Sequence, residues 1–298
     1  MTAIDAAADF LRTHARLLDR RRFALHFADG DAQGVLDALT AYRNPDGGFG
    51  WGLEPDLRAP GSQPAGALHA FEALAEAAPA TSDMAPALCD WLGTVTLADG
   101  GLPFALAGAA GAGTAPWWAG ADPSASSLHI TAAICEQAHL LARHDAAVAS
   151  HPWLQRATDF CARAIAARPV GGPAYELRFV LGLLDALGDR EPWAPRELDR
   201  HVAAVPASAT LPVEGGVEGE VLRPLALSPR AEGPLRERLD ATAIAADLDR
   251  TAAEQRDDGG WEVDFPAQSP AAGLEWRGYA TVGALKALAG AGRLDAAS

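Results

Sequence analysis

A Gly-Gly doublet recurs along the chain at Gly47-Gly48, Gly100-Gly101, Gly171-Gly172, Gly215-Gly216 and Gly259-Gly260, at intervals of 53, 71, 44 and 44 residues. Spacing of this order marks a repeat architecture, in which one supersecondary unit is copied and each copy buries its apolar face on its neighbours. Three copies share more than glycine, reading DGGFG, DGGLP and DGGWE. The longer steps fit insertions within a unit.

Each doublet is preceded by a helix-like stretch and followed, after a loop, by another. Leu68, Phe71, Leu74 and Ala75 fall on one helical face, as do Ile130, Ile134, Ala138 and Leu141, and Tyr279, Val282, Leu285, Leu288 and Ala289. Val35, Leu39 and Tyr42 form the stripe upstream of the first doublet, and Pro64 stands where a first helical turn tolerates proline. Strand alternation is nearly absent; TLPVEGGVEGEVL is the one ambiguous stretch. Five units of helix, Gly-Gly turn, loop and helix, plus an N-terminal helix from about Ile4 to Phe27, predict an all-α fold of about ten to twelve helices. The expected architecture is an α/α toroid over residues 1–298 as a single domain. A closed double ring needs no polar end caps, unlike an open right-handed superhelix, which is the alternative.

The net charge of −15 sets nucleic-acid binding aside, since the only basic cluster is Arg20-Arg21-Arg22. No apolar run approaches the roughly 18 residues of a membrane span. The N-terminus lacks the apolar core of a secretory signal, and three widely spaced cysteines do not suggest a disulfide framework, so a cytoplasmic protein is expected. The chain has 23 arginines against the single Lys286, so an arginine here is a weaker pointer to function than usual. No P-loop or dinucleotide fingerprint occurs, the Gly-Gly turns following helices rather than strands, and no cofactor is expected. Nothing in the pattern sets an oligomeric state.

The stretch QRDDGGW (Gln255–Trp261) resembles the QW repeat of squalene and oxidosqualene cyclases and the related repeat of protein prenyltransferase β-subunits. RNPDGGF (Arg43–Phe49) keeps the glycine and an aromatic, and TLADGGL (Thr96–Leu102) keeps Asp-Gly-Gly. NPDGGFGWGLEPDLRAPGSQP also looks like a bacterial group described as prenyltransferase-like or squalene-cyclase-like. The resemblance implies the terpenoid cyclase/prenyltransferase toroid, an isoprenoid-type ligand, and a scaffold role for Gln255 and Trp261. The chain departs from the family at its chemistry. It has no Asp-x-Asp-Asp acid motif, no Asp-Asp-x-x-Asp magnesium motif and no recognisable zinc ligands, and the cysteine and histidine contexts of lanthionine-forming cyclases are missing.

The stretch Glu54-Pro-Asp56-Leu-Arg58 exceeds what a repeat turn needs. An acid and an arginine recur together at Glu176/Arg178, Glu220/Arg223 and Glu275/Arg277. If these converge at the mouth of the ring, burial would hold Asp56, or alternatively Glu54, protonated as a general acid. Arg58, Arg178, Arg223 and Arg277 would tune it or hold a polar substrate end. The alternative is that they are ion pairs knitting adjacent repeats. Phe49, Trp51, Trp117, Trp118 and Trp276 are expected to line a cavity for a small, largely apolar molecule, their ring faces suiting apolar or cationic species; ordinary packing is the alternative. Acid-initiated cyclisation or isomerisation follows as the expected chemistry. A carbohydrate-active (α/α)-barrel and a non-catalytic scaffold are the competing readings. Cys135 and His139, four residues apart on a predicted helix, could share a metal with Asp122 or Glu136, but such residues are more often core or surface, and no metal site is assigned.

Overall fold

The computed structural model describes residues 2–294. It is mostly helical, and the only strands among these residues are two of two residues each. In chain order the helices are α1 (Ala3–His14), α2 (Leu17–Phe27), α3 (Ala32–Thr40), α4 (Pro64–Glu76), α5 (Met84–Val95), α6 (Pro116–Ala119), α7 (Leu128–Leu141), α8 (Ala146–Ala149), α9 (Pro152–Ala167), α10 (Ala174–Leu187), α11 (Ala194–Val202), α12 (Pro224–Leu227), α13 (Pro234–Arg238), α14 (Ala241–Ala253) and α15 (Pro270–Gly290). Eleven of them have nine residues or more, within the expected ten to twelve.

Local chemistry explains many of the boundaries. Thr2 and Asp5 form a reciprocal capping box that starts α1. Asp31, Ser127, Asp145, Asp240 and Ser269 cap later helices through their side chains, and proline opens α4, α9 and α15. The N-terminal helix expected from Ile4 to Phe27 is two helices. Ala15 and Arg16 are extended, and the Arg16 guanidinium turns to the Leu53 carbonyl at 2.9 Å and to Asp19 at 2.8 Å.

The three Asp-Gly-Gly turns share one geometry. The N–H groups of Asn44, Leu97 and Arg256 donate to the carbonyls of Gly48, Gly101 and Gly260, and each aspartate accepts from the second glycine's N–H. The first glycine has φ of +91°, +96° or +90°. It also sits hard against the backbone of another helix. A Cβ there would lie 2.9 Å from the Ala87 carbonyl on α5, 2.9 Å from Arg156 on α9, or 2.0 Å from Ala6 on α1. Glycine is thus required twice over, for the dihedral and for the close approach. The other two doublets differ. Gly171-Gly172 packs near Ala204, and Gly215-Gly216 lies in the exposed turn between the paired strands β1 (Leu211–Pro212) and β2 (Val221–Leu222), where the sequence was ambiguous.

α7 packs between α4 and α10; α10 meets α12, α12 meets α14, and α14 meets α15. α15 lies on α1 and α2, α2 on α3, and α3 on α4. The core between them includes Phe10, Phe49 and Phe71, all essentially inaccessible, with Phe71 stacked on Trp153 at 6.2 Å. Burying each such ring stabilises the fold by about 1.5–3 kcal/mol. Among the described residues no helix is long and apolar enough to cross a membrane.

Candidate functional site

α4 is buried along nearly its whole length, yet one face carries His69, Glu72 and Glu76 at i, i+3 and i+7. The opposite stripe of Leu68, Phe71 and Leu74 packs into the core. The polar face therefore meets other helices rather than bulk water, and each group on it has a partner.

His69 lies between two carboxylates. Its Nε2 is 2.7 Å from Glu54 Oε2 and its Nδ1 is 2.8 Å from Glu72 Oε2. With an acceptor at each nitrogen, both nitrogens donate and the ring is an imidazolium. Burial alone would lower its pKa, but Glu72 and Glu54 outweigh that and raise it to about 9. For Glu72, burial pushes the pKa up, and His69, Arg22 and Arg178 together bring it below the usual carboxylate range. The Tyr279 hydroxyl donates to the other Glu72 oxygen at 3.1 Å. Trp276 and Tyr279 meet His69 edge-on at 5.8 and 5.6 Å, and Phe265 meets Trp276 the same way. Arg22 lies 5.0 Å from the Tyr279 ring centre and is held by Glu76 at 2.6 Å. A cavity of about 10 Å³, room for roughly one water, is bounded by Arg16, Arg22, His69, Glu72 and Tyr279 among others.

Asp56 is only 1% exposed. Its oxygens accept from the Gln268 N–H at 2.9 Å and the Trp276 indole at 2.8 Å. Its own carbonyl accepts from Ala115 at 2.8 Å, so the residue joins three loops. Burial raises its pKa, opposed by the two donors, which favour the ionised form. Glu54 accepts from the Asp56 N–H as well as from His69.

A second cluster extends from α7 and α10. Phe104 stacks on Trp118 at 4.3 Å and meets His129 at 5.1 Å, and His129 lies 4.8 Å from Phe179 and 6.2 Å from Tyr175. Arg178 lies 4.3 Å over Phe179 and reaches Glu136 at 3.3 Å. Glu136, 1% exposed, also takes Arg230 at 3.4 Å, and burial raises its pKa despite both arginines. The carboxylate occupies space left by Gly182 on α10, where a Cβ would lie 2.3 Å from an oxygen.

The structure thus brings Glu54, Asp56 and Trp276 together around His69, with Arg58 bonded to Glu275 beside them. Arg178 belongs to the second cluster, near enough to Glu72 and Tyr279 to shift both. The remaining expected site residues lie elsewhere. Phe49 is in the core, Trp51 is 58% exposed and bonds Asn44, and Trp117 is 49% exposed while its neighbour Trp118 is buried. Arg277 pairs with Asp258 and covers Phe10, and Arg223 faces Asp264 at 3.7 Å. None of the four acid–arginine doublets pairs internally. Glu176 takes Arg168, Glu220 takes Tyr175, and Arg58 takes Glu275. On α10 and α15 the reason is geometric, since residues two apart on a helix point to opposite sides. His139 bonds Thr158, and burial lowers its pKa to about 4; Cys135 lies beside Cys161.

His69, Glu72 and Tyr279 were not among the expected site residues, yet they hold the centre of this cluster. A polar i, i+3, i+7 face on a helix whose other face is apolar reads as a solvated surface. The available signal was that this helix follows the Gly-Gly loop and carries its own apolar stripe, so that both faces could be buried. No family model matches the chain, and no curated protein is detectably similar to it.

Proposed function

We propose that the helices close into an α/α toroid whose interior binds a small, largely apolar molecule, and that His69 and Glu72 transfer protons to and from it. The closure is supported by the order of docking. The first turn rests on α5, the second on α9, and the last returns to α1, where Gln255 also donates to the Ala3 carbonyl at 2.8 Å. The resemblance to squalene-cyclase-like proteins supports the same architecture, and an isoprenoid ligand rests on that resemblance alone.

The observation that carries the reading is the imidazolium clamped between Glu54 and Glu72 beside the rings of Trp276 and Tyr279. An imidazolium with a pKa of about 9 is charged at neutral pH and can protonate an enolate or alkoxide. It is too weak an acid for an isolated alkene, so isomerisation fits better than acid-initiated cyclisation. For Glu72 to remove a proton from one carbon and His69 to return one to another, the bound molecule must take the place of the Tyr279 hydroxyl on Glu72 and of Glu54 on His69. Transfer along their 2.8 Å hydrogen bond resets the pair, so neither cofactor nor second substrate is consumed.

Two observations favour the non-catalytic scaffold instead: the cavity beside His69 has room for about one water, far less than an apolar ligand fills, and the buried carboxylates have no free oxygen. Both oxygens of Glu54, Asp56, Glu72 and Glu136 are already bonded, as in a satisfied structural network. Native mass spectrometry of freshly purified protein, followed by extraction and identification of bound compounds, separates the two. A co-purifying small molecule is expected. Repeated preparations carrying none, with no rise in Tm across a library of small apolar compounds, would leave the scaffold reading.

A further inference from the structure

Between the second Gly-Gly turn and α7 lies the segment 105–125, of whose 21 residues thirteen are glycine or alanine. Its ends are pinched together. Pro103 and Ser126 form an antiparallel bridge, and the Ser127 N–H donates to the Leu102 carbonyl at 2.8 Å. Beyond that neck, two hydrogen bonds join the segment to the rest of the described residues. The Ala115 N–H donates to the Asp56 carbonyl and the Leu106 N–H to Gln63 Oε1, each at 2.8 Å. The packing is as sparse. Ala105, Ala109, Ala115 and Trp118 meet Leu57, Ala59 and Ala65 in a cluster separate from the main core. Trp118 is the largest side chain the segment buries, and it stacks on Phe104 at 4.3 Å. The closure is also imperfect. The Trp118 indole N–H and the Thr114 hydroxyl are buried with no hydrogen-bond partner among the described residues.

We propose that residues 105–125 form a lid that opens as a unit, lifting Trp118 off Phe104 and uncovering Leu57, Ala59 and Ala65 while the helices stay folded. The neck holds both ends, so the segment can swing without disturbing the Gly-Gly turn or α7. What holds it shut is a few methyl groups, one indole and two hydrogen bonds. Segments with so few apolar contacts open locally, at a free energy well below that of global unfolding. The orphaned donors push the same way, because water satisfies both of them once the lid lifts. Closed, the lid rests on Asp56, whose N–H donates to Glu54, the carboxylate that holds His69. Its role as an entrance rests on the binding reading above; the opening itself does not.

Native-state hydrogen exchange of the full chain at rising urea, read by peptide mass spectrometry, tests the lid. The Trp118, Ala119 and Gly120 amides donate to carbonyls of Ala115 and Pro116 in the closed segment. They are expected to exchange through an opening that changes little with urea, while α4 exchanges through global unfolding. Ala115→Pro deletes the N–H that reaches Asp56, at a φ of −64° that proline adopts. Lid exchange should rise about five- to tenfold, the effect of one hydrogen bond, with α4 unchanged. Thr114→Val keeps the shape and deletes the orphaned hydroxyl, so lid exchange should slow about fivefold. Lid amides that exchange only together with α4, or as fast as an unstructured peptide, or at rates that neither substitution shifts, overturn the proposal. Local opening in a chain that binds no small molecule leaves the lid standing and removes the binding reading alone.

Discussion

The Trp276 indole donates a 2.8 Å hydrogen bond to Asp56 across 220 positions of sequence. The loop after the first Gly-Gly turn and the first turns of α15 are thereby joined at a residue almost without solvent access. Asp56→Ala leaves the indole and the Gln268 N–H without their acceptor, and each orphaned buried donor costs about 1–3 kcal/mol. Urea unfolding should show a loss of roughly 2–5 kcal/mol for Asp56→Ala and a smaller loss for Trp276→Phe, with about 0.5–3 kcal/mol of coupling in the double variant. Additive losses would show that the contact contributes nothing.

His69 gives a pH dependence of fixed sign. Its folded pKa of about 9 lies above the ordinary 6.5. The added stability is fully present below pH 6.5 and is lost as pH rises through 9; its size is on the order of 3 kcal/mol. Glu72, depressed by the same contact, contributes stability present above its ordinary 4.5 and lost as pH falls below it. Because His129 and His139 are held near 4, stability also falls as pH drops below 6.5, so the urea midpoint should peak near pH 6.5 and fall toward pH 9. In His69→Gln the alkaline decline should flatten, and an unchanged decline in that variant assigns it to another group.

Gly182 offers a test with an inverted sign. In a helix interior Gly→Ala normally stabilises by about 0.5–1 kcal/mol. Here the added methyl meets the Glu136 carboxylate, which is held by Arg178 and Arg230. Gly182→Ala should destabilise by about 1–3 kcal/mol. In a Glu136→Ala background the same change should be neutral or stabilising by thermal melting.

Gly259→Ala combines a left-handed backbone with overlap on the Ala6 carbonyl. A loss of about 3 kcal/mol or more is expected. Gly215→Ala is the control, since its φ is +76° but no atom lies within 4 Å of the added Cβ, and it should lose only about 1–2 kcal/mol. Similar losses for the two would mean that the docking on α1 does not matter.

The parts of the molecule legible in sequence are those set by neighbouring residues. Asp-Gly-Gly specifies its turn through a carboxylate two residues from its N–H partner, and an i, i+3, i+7 stripe specifies a helix whatever it packs against. Partnerships across the fold were not legible. Glu54 and Arg58 stand close in sequence, yet one serves His69 and the other Glu275, because the loop turns them to different neighbours. His69 and Glu72 did not stand out because nothing local indicates that α15 brings Tyr279 against them.

The docking of Gly259 and Gln255 on α1 also sets a timetable for folding. Gln255 follows Ala3 by 252 positions, so at about 5–20 residues per second α1 leaves the ribosome roughly 10–50 s before its last partner is synthesised. Through that interval Ala7, Phe10 and Leu11, which α1 buries in the finished protein, lack the contacts of α15. Among the described helices, α1 emerges ahead of all its packing partners and is among the last to be completed.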